Sequence, residues 1–152
     1  MLYTPHALVG IVIAKVIPNP FISIVISFVS HMLFDVYPHT NPDPKTASGW
    51  IKQFMYFDIL FGVAISISLS YILADGYNFN FWVYLACTFS ANLPDLMMIP
   101  YVLFNKSQNK IVKFSAFVCR IQKNYQNHVE AIYGYPSQLL IMLWCLLYFF
   151  YS

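Results

Sequence analysis

The feature that most constrains this chain is a pair of ionisable residues embedded in a long apolar run. The stretch from Ser30 to His39 closes an apolar segment and carries His31 and Asp35 four residues apart. On a helix, this spacing places both side chains on one face, one turn apart. A charge in an apolar membrane helix costs roughly 2.5–3.5 kcal/mol. The pair therefore predicts polar partners inside a protein interior.

The composition is that of an integral membrane protein. Of the 152 residues, 59% are hydrophobic and 9% are charged, whereas soluble domains carry about 25% charged residues. The sequence predicts an all-α fold, a polytopic membrane helical bundle in one domain, with about five transmembrane helices and one interfacial amphipathic helix. The expected spans are residues 2–17, 21–37, 53–74, 79–104 and 134–151. The three scattered cysteines, Cys87, Cys119 and Cys145, are expected to be free thiols.

Residues 105–132 differ from the rest of the chain because basic residues are concentrated there. Five of the eight are Lys106, Lys110, Lys113, Arg120 and Lys123. Apolar residues recur between them at helical spacing, which is typical of a helix lying on the bilayer surface. An ordinary amphipathic connector fits the pattern equally well. Membrane topology and anionic lipid explain the basic charge, so membrane lipid is an expected partner and nucleic acid is not.

The basic segment also sets the expected orientation. By the positive-inside rule, residues 105–132 are cytoplasmic, which makes the N-terminus cytoplasmic and places the C-terminus outside. With this topology, the ionisable residues of the spans all fall in the cytoplasmic leaflet, except Lys15. This distribution predicts one shared polar pocket that opens to the cytoplasmic side.

The residues expected in that pocket suit a divalent metal, most of all zinc. Imidazole and carboxylate groups are ligands for zinc and other first-row metals. The candidate ligands are His6, His31, Asp35 and Asp95. Asp58 or Glu130 is the candidate general base or ligand-orienting partner. A simple hydrogen-bonded pair is the alternative for His31 and Asp35, and Asp58 is alternatively a helix anchor.

Two other histidines have a less specific setting. His39 follows Pro38 at the expected water interface and is interpreted as a solvated loop residue. His128 lies in a similar polar setting just ahead of the last span and is interpreted in the same way, with contact to the site as the alternative.

Three short motifs resemble those of small bacterial integral membrane proteins described as metal-dependent hydrolases, and of their uncharacterised relatives. The motifs are the segment Thr4 to Gly10, the pair Ser30-His31 with Asp35, and the segment Asn92 to Asp95. That family is similar to zinc-dependent phospholipase C-like enzymes. The resemblance implies a bacterial inner-membrane location, phosphoester hydrolysis, and the same four metal ligands. Here Leu96-Met97 follow Asp95 in place of a second acidic residue, so a second metal is not expected.

The sequence leaves three functions open. The first is a metal-dependent hydrolase acting on a lipid-linked phosphoester. The second is a non-enzymatic membrane protein that binds or conducts an ion or proton through the same pocket, since intramembrane carboxylates also mark such paths. The third, ranked last, is haem binding through His6 and His31. No short motif of a nucleotide-binding loop or of a serine hydrolase is present.

The orientation generates the first prediction. In intact cells, a cysteine introduced at Ser107 should resist a membrane-impermeant maleimide, because residues 105–132 are expected to face the cytoplasm. The same cysteine should react once the cells are permeabilised. Labelling of intact cells to the same extent as permeabilised cells would contradict this orientation.

Overall fold

The computed structural model describes residues 2–40, 49–76, 81–104, 107–127 and 129–151. Within these ranges the chain is all-helical, without strands, which confirms the all-α part of the expected fold. The six helices are α1 (Tyr3–Val16), α2 (Pro20–Val36), α3 (Gly49–Gly76), α4 (Phe81–Phe104), α5 (Lys110–Tyr125) and α6 (Ala131–Tyr151).

The shortest helix, α1, lies at the centre of the molecule. It packs against α2, α3, α4 and α6, and nearly every residue from Thr4 to Ala14 is buried. This placement follows from its sequence, because a helix that is apolar on all sides is stable only when it is surrounded. At its far end, the Lys15 ammonium donates to the carbonyl of Phe149 in α6 at 3.4 Å. The lone basic residue of α1 therefore reaches a carbonyl in the last turns of α6.

Small residues allow α1 to approach its neighbours closely. A Cβ added to Gly10 would lie 2.7 Å from the carbonyl oxygen of Cys87 in α4. A Cβ on Gly62 of α3 would meet the side chains of Tyr3 and Thr4. Glycine is needed at both positions because the space that a methyl group would fill is already taken.

The second helix has a polar face towards the interior and an apolar face away from it. The buried residues of α2 are Ser23, Ser27, Ser30, His31 and Asp35. The exposed residues of the same helix are large and apolar, and include Val25, Val29 and Leu33. This is the reverse of the arrangement expected of a helix on the surface of a water-soluble protein.

The fifth helix is fixed to α4 by a side chain inserted into a helical hydrogen-bond ladder. The hydroxyl of Ser115 donates to the carbonyl of Met97 at 2.7 Å and accepts from the amide of Tyr101 at 3.0 Å. In an undisturbed helix, that amide would bond to that carbonyl directly. Pro100 lies between the two residues and lacks an amide proton of its own. The contact determines which face of α5 is turned inward.

Two helices are long and apolar enough to cross a membrane, namely α3 from Gly49 to Ala74 and α6 from Ala131 to Tyr151. The other expected spans form helices, but α1 and α2 are shorter apolar helices. The helix bounds differ from the expected spans, most clearly in α3, which begins at Gly49 instead of residue 53. The apolar length of a segment does not limit its helix, because Trp50, Ile51 and Lys52 can all continue one.

The close approach at Gly10 generates the second prediction. Replacing Gly10 with Ala should lower the thermal unfolding midpoint in detergent, because the new methyl group would displace the backbone of α1 or α4. Overpacking of this kind typically costs about 1–3 kcal/mol, whereas Gly→Ala in an unhindered helix gains up to about 1 kcal/mol. The sign of the change is therefore diagnostic.

A matched control adds volume where there is free space. Ala64 lies on the exposed side of α3, so Ala64→Val should change the stability by less than about 0.5 kcal/mol. A Gly10→Ala protein that is more stable than the parent would show that α1 and α4 do not meet at this glycine.

Candidate metal centre

Three helices bring imidazole and carboxylate groups together around Asp35. The Nε2 atom of His6 in α1 lies 3.2 Å from Asp35 Oδ1, and that of His31 lies 3.4 Å from Asp35 Oδ2. Asp95 in α4 joins them, with its Oδ1 atom 3.5 Å from His31 Nε2. The structure thus brings together the four residues that the sequence marked as ligands. The helix spacing accounts for His31 and Asp35, whereas the packing of α1 and α4 on α2 brings His6 and Asp95.

The two buried imidazoles stack directly on each other. The ring centroids of His6 and His31 are 3.9 Å apart and the rings are inclined by 20°. The axial ligands of a bis-histidine haem stand on opposite sides of the macrocycle, so rings in contact leave no room for a porphyrin between them. This geometry does not support haem binding through His6 and His31.

An outward hydrogen bond orients the ring of His31. Its Nδ1 atom lies 2.7 Å from the carbonyl oxygen of Ala91 and donates to it. Nδ1 therefore carries a proton, and Nε2 is turned towards Asp35 and Asp95. Histidines that ligate metals are commonly held in this way, with the second ring nitrogen donating to a carbonyl or carboxylate.

His39 belongs to the same cluster, and its interpretation as a solvated loop residue is wrong. Its side chain is fully buried, its Nδ1 atom donates to the carbonyl of Tyr37 at 2.8 Å, and its Nε2 atom lies 3.7 Å from Asp35 Oδ1. Backbone bonds to the segment before α6 account for this burial. The amide of His39 donates to the carbonyl of Asn127, and the amide of Val129 donates to the carbonyl of His39, both at 3.1 Å.

A regular spacing in the sequence could have revealed His39. His31, Asp35 and His39 are separated by four residues each. Pro38 ends the helical pattern before His39, and so the histidine looks like the start of a solvated loop. The pairing of this segment with Asn127 and Val129, which returns His39 to the interior, is a long-range contact that the local sequence does not encode.

Two glutamines of α5 also reach the cluster, and sequence reasoning missed both. The Nε2 atom of Gln122 lies 2.7 Å from His31 Nε2 and 2.7 Å from Asp95 Oδ1. The amide nitrogen of Gln126 donates to Asp35 Oδ2 at 3.0 Å. They lie one turn apart on the face of α5 that carries Ser115 and Cys119. That stripe of small and amide side chains is the signal that could have identified them.

The carboxylate of Asp58, a candidate base, is hydrogen-bonded to the start of α1. Its carboxylate accepts from the backbone amides of Tyr3 at 2.7 Å and Thr4 at 3.4 Å. The hydroxyl of Thr4 in turn donates to the Asp58 carbonyl at 3.0 Å. These contacts satisfy free amides at the start of α1, as a capping side chain does. In this arrangement Asp58 is the helix anchor that the sequence left open as an alternative.

The other candidate base, Glu130, is exposed immediately before α6. No hydrogen bond or ion pair joins its side chain to the cluster within the described ranges. His128 lies outside the described residues.

The donor set fits a divalent cation. One ligand atom from each of His6, His31 and Asp95 lies within 4.8 Å of the other two, so this group could hold a metal ion. Bonds of about 2.0–2.2 Å from nitrogen or oxygen to zinc would require these ligand atoms to draw closer to a common point. The metal would be held by His6, His31 and Asp95 with Asp35 beside them, and His39 is close enough to contribute. Imidazole with carboxylate is the mixture that first-row metals prefer.

Comparisons with protein-family models, with curated proteins and with solved structures returned no match. The class that the fold and site define is therefore a helical protein with two potential membrane-spanning helices and a possible metal-binding cluster of His and Asp.

The contacts of Asp58 generate the third prediction. Asp58→Ala should destabilise the protein by about 0.5–2 kcal/mol, because the start of α1 loses its acceptor. Asp58→Asn should have little effect, since asparagine caps helices about as well as aspartate. Thermal unfolding in detergent measures both. Equal losses for the two variants would show that the negative charge, and not the acceptor oxygen, is what this position requires.

Proposed function

We propose that this protein is an integral membrane, metal-dependent hydrolase, with zinc as the expected metal and a lipid-linked phosphoester as the substrate class. The membrane part of the proposal is supported by the distribution of polar and apolar side chains. Buried side chains include seven serines and all the histidines of the described ranges, whereas large apolar side chains cover the outside of α2, α3, α4 and α6. Apolar patches of such extent on a monomer mark contact with lipid or with another protein.

A membrane-surface position for α5 is supported by its three distinct faces. Successive residues advance by about 100° around a helix. One face, with Ser115, Cys119 and Gln122, is buried against the protein. A second face carries exposed Phe114 and Phe117. The third face exposes the basic residues Lys113, Arg120 and Lys123. A helix at the junction of protein, hydrocarbon and anionic headgroups requires these three faces.

The observation that carries the enzymatic proposal is that the cluster is buried except at one carboxylate. The side chains of His6, His31 and Asp35 are 0–1% exposed, whereas that of Asp95 is 28% exposed. A substrate approaching the site would therefore meet Asp95 first. Asp95 also contacts the buried Gln122 of α5.

The chemistry proposed for this site is hydrolysis of a phosphoester. A water oxygen bonds to phosphorus, the bond from phosphorus to the alcohol oxygen breaks, and the alcohol oxygen takes up a proton. A bound divalent metal would supply Lewis acidity and lower the pKa of water at the site. Asp35, the carboxylate beside the three ligands, would accept the proton released by the water, and the basic face of α5 would attract the phosphate. His31 is held in one orientation by Ala91, which keeps the site geometry fixed.

Proton or ion conduction is the second candidate, and a separate observation favours it. Buried polar side chains continue from the cluster along the interface of α2 and α4. The thiol of Cys87 lies 3.3 Å from the hydroxyl of Ser23, and the hydroxyl of Ser90 donates to the carbonyl of Ile24 at 2.9 Å. The carbonyl oxygen of the buried Asn92 side chain has no hydrogen-bond partner within the described part of the chain. A string of polar groups inside a membrane protein is typical of an ion or proton path.

Metal content and hydrolysis provide the fourth prediction. The protein purified in detergent should contain one equivalent of zinc or another first-row metal by elemental analysis and should cleave a chromogenic phosphodiester. His31→Ala should remove both properties, because the variant loses a ligand that bridges Asp35 and Asp95. A drop of about 100-fold or more in metal affinity is expected when a direct ligand is removed, since even the partners that orient ligands contribute 10- to 100-fold.

Ser27→Ala is the matched control, because Ser27 is a buried polar residue one turn before His31 on the same face of α2. It should retain both metal and activity. A metal-free parent would overturn the proposed metal site and the hydrolase together. A metal-bound parent that hydrolyses no phosphoester but carries protons or ions across liposome membranes would favour the second candidate.

A further inference from the structure

The amide of Gln122 lies at the centre of the candidate ligand set. Its nitrogen is 2.7 Å from His31 Nε2, 2.7 Å from Asp95 Oδ1 and 3.4 Å from Asp35 Oδ2. An amide group has only two hydrogens to donate. Two carboxylate oxygens and one imidazole nitrogen therefore surround one amide nitrogen, and these are atom types that ligate first-row metal cations.

The other end of the same amide is unsatisfied. Gln122 is fully buried, and its Oε1 atom has no hydrogen-bond partner within the described part of the chain. A buried polar atom without a partner costs about 1–3 kcal/mol. The side chain thus carries a strong oxygen acceptor that its present orientation does not use, a few ångströms from the cluster.

We propose that Gln122 is a metal ligand through Oε1, and that its amide group turns over when a divalent cation enters the cluster. In the orientation described here, the NH₂ group supplies partial positive charge between His31 Nε2 and the Asp95 carboxylate. A rotation of the amide by half a turn would place Oε1 against those same atoms. Against the Asp95 carboxylate that contact is repulsive unless a cation lies between the two oxygens, and amide carbonyl oxygens are accepted ligands for divalent metals.

The position of α5 makes this ligand the connection between the cluster and the basic helix. Gln122 comes from the only described helix rich in lysine and arginine, whereas His6, His31 and Asp95 come from three other helices. The Ser115 contact with α4 fixes the depth at which Gln122 enters the cluster. The inference rests on the proposed metal site and adds to it a ligand from a fourth helix.

Two substitutions at Gln122 test the inference by metal affinity. Gln122→Leu retains most of the volume but removes the oxygen, and should lower the affinity for Zn²⁺ by about 10- to 100-fold. Gln122→Glu replaces the amide oxygen with a charged carboxylate and should bind Zn²⁺ at least as tightly as the parent. Affinity is measured on the full chain in detergent by competition with a chromophoric chelator. With Co²⁺ in place of Zn²⁺, the visible absorption should change between parent and Gln122→Leu, because that spectrum reports the ligand number.

Gln126→Leu is the matched control, because Gln126 directly follows α5 and its amide donates to Asp35, whereas the amide of Gln122 lies against His31 and Asp95. It should change the affinity much less than Gln122→Leu. Thermal unfolding without metal checks that each variant is folded. If Gln122→Leu does not fold, the Zn²⁺ affinity of Gln122→Glu alone tests the inference.

The outcomes separate this inference from the proposed function. If the parent and Gln122→Leu bind Zn²⁺ equally, Gln122 is not a ligand. If Gln122→Leu binds Zn²⁺ more tightly, the amide of Gln122 competes with the metal for the cluster. Weaker binding by a folded Gln122→Glu would also overturn the inference. In each of these cases the metal site itself would stand. A parent that binds no divalent metal would overturn both.

Discussion

The structure depends on the burial of Asp35, a carboxylate whose surroundings must compensate its charge. A buried charge is tolerated only when it is paired and hydrogen-bonded. Here the compensation comes from the imidazoles of His6, His31 and His39 and from the amide of Gln126. These groups come from α1, α2, the segment after α2, and the end of α5. The need to satisfy one carboxylate thus fixes how four parts of the chain meet.

The same constraint explains why the helices carry their polar side chains inward. In water, an apolar interior is stabilised because burial removes apolar surface from solvent. In a lipid environment that driving force between helices is absent, and close packing with interhelical hydrogen bonds replaces it. Gly10 against Cys87 and Ser115 between Met97 and Tyr101 are contacts of this kind. The apolar outer face of α2 is consistent with the proposed lipid environment.

Helix α5 connects the proposed metal site to a basic surface. Binding of a phosphate would be favoured by the basic face of the helix, while its opposite side delivers Gln122 to His31 and Asp95. The basic surface would attract the phosphate of the proposed substrate, and the exposed apolar side chains of the same helix would contact its apolar chain.

Much of the candidate site could be predicted from the sequence, because helical spacing is a local property. The i, i+4 relation put His31 and Asp35 on one face, and the scarcity of charge made each ionisable residue in an apolar segment informative. The fold class followed from the same apolar pattern, and the helices lie close to the expected segments. The roles of Asp58 and His39 could not be read in this way. Both depend on contacts distant in sequence. Asp58 contacts Tyr3 and Thr4, and His39 contacts Asn127 and Val129.

The sequence by itself determined that this chain is helical and rich in apolar surface. It also determined that the few ionisable groups in its apolar segments need polar partners inside the protein. It also identified the cluster residues on α1, α2 and α4, since an ionisable side chain in such segments must find partners. Only the tertiary structure decided that α1 is the central helix, that Asp58 caps it, and that Gln122 enters the cluster from α5. The physical reason is that a local pattern sets which face of a helix is polar, whereas the packing of helices sets which polar faces meet.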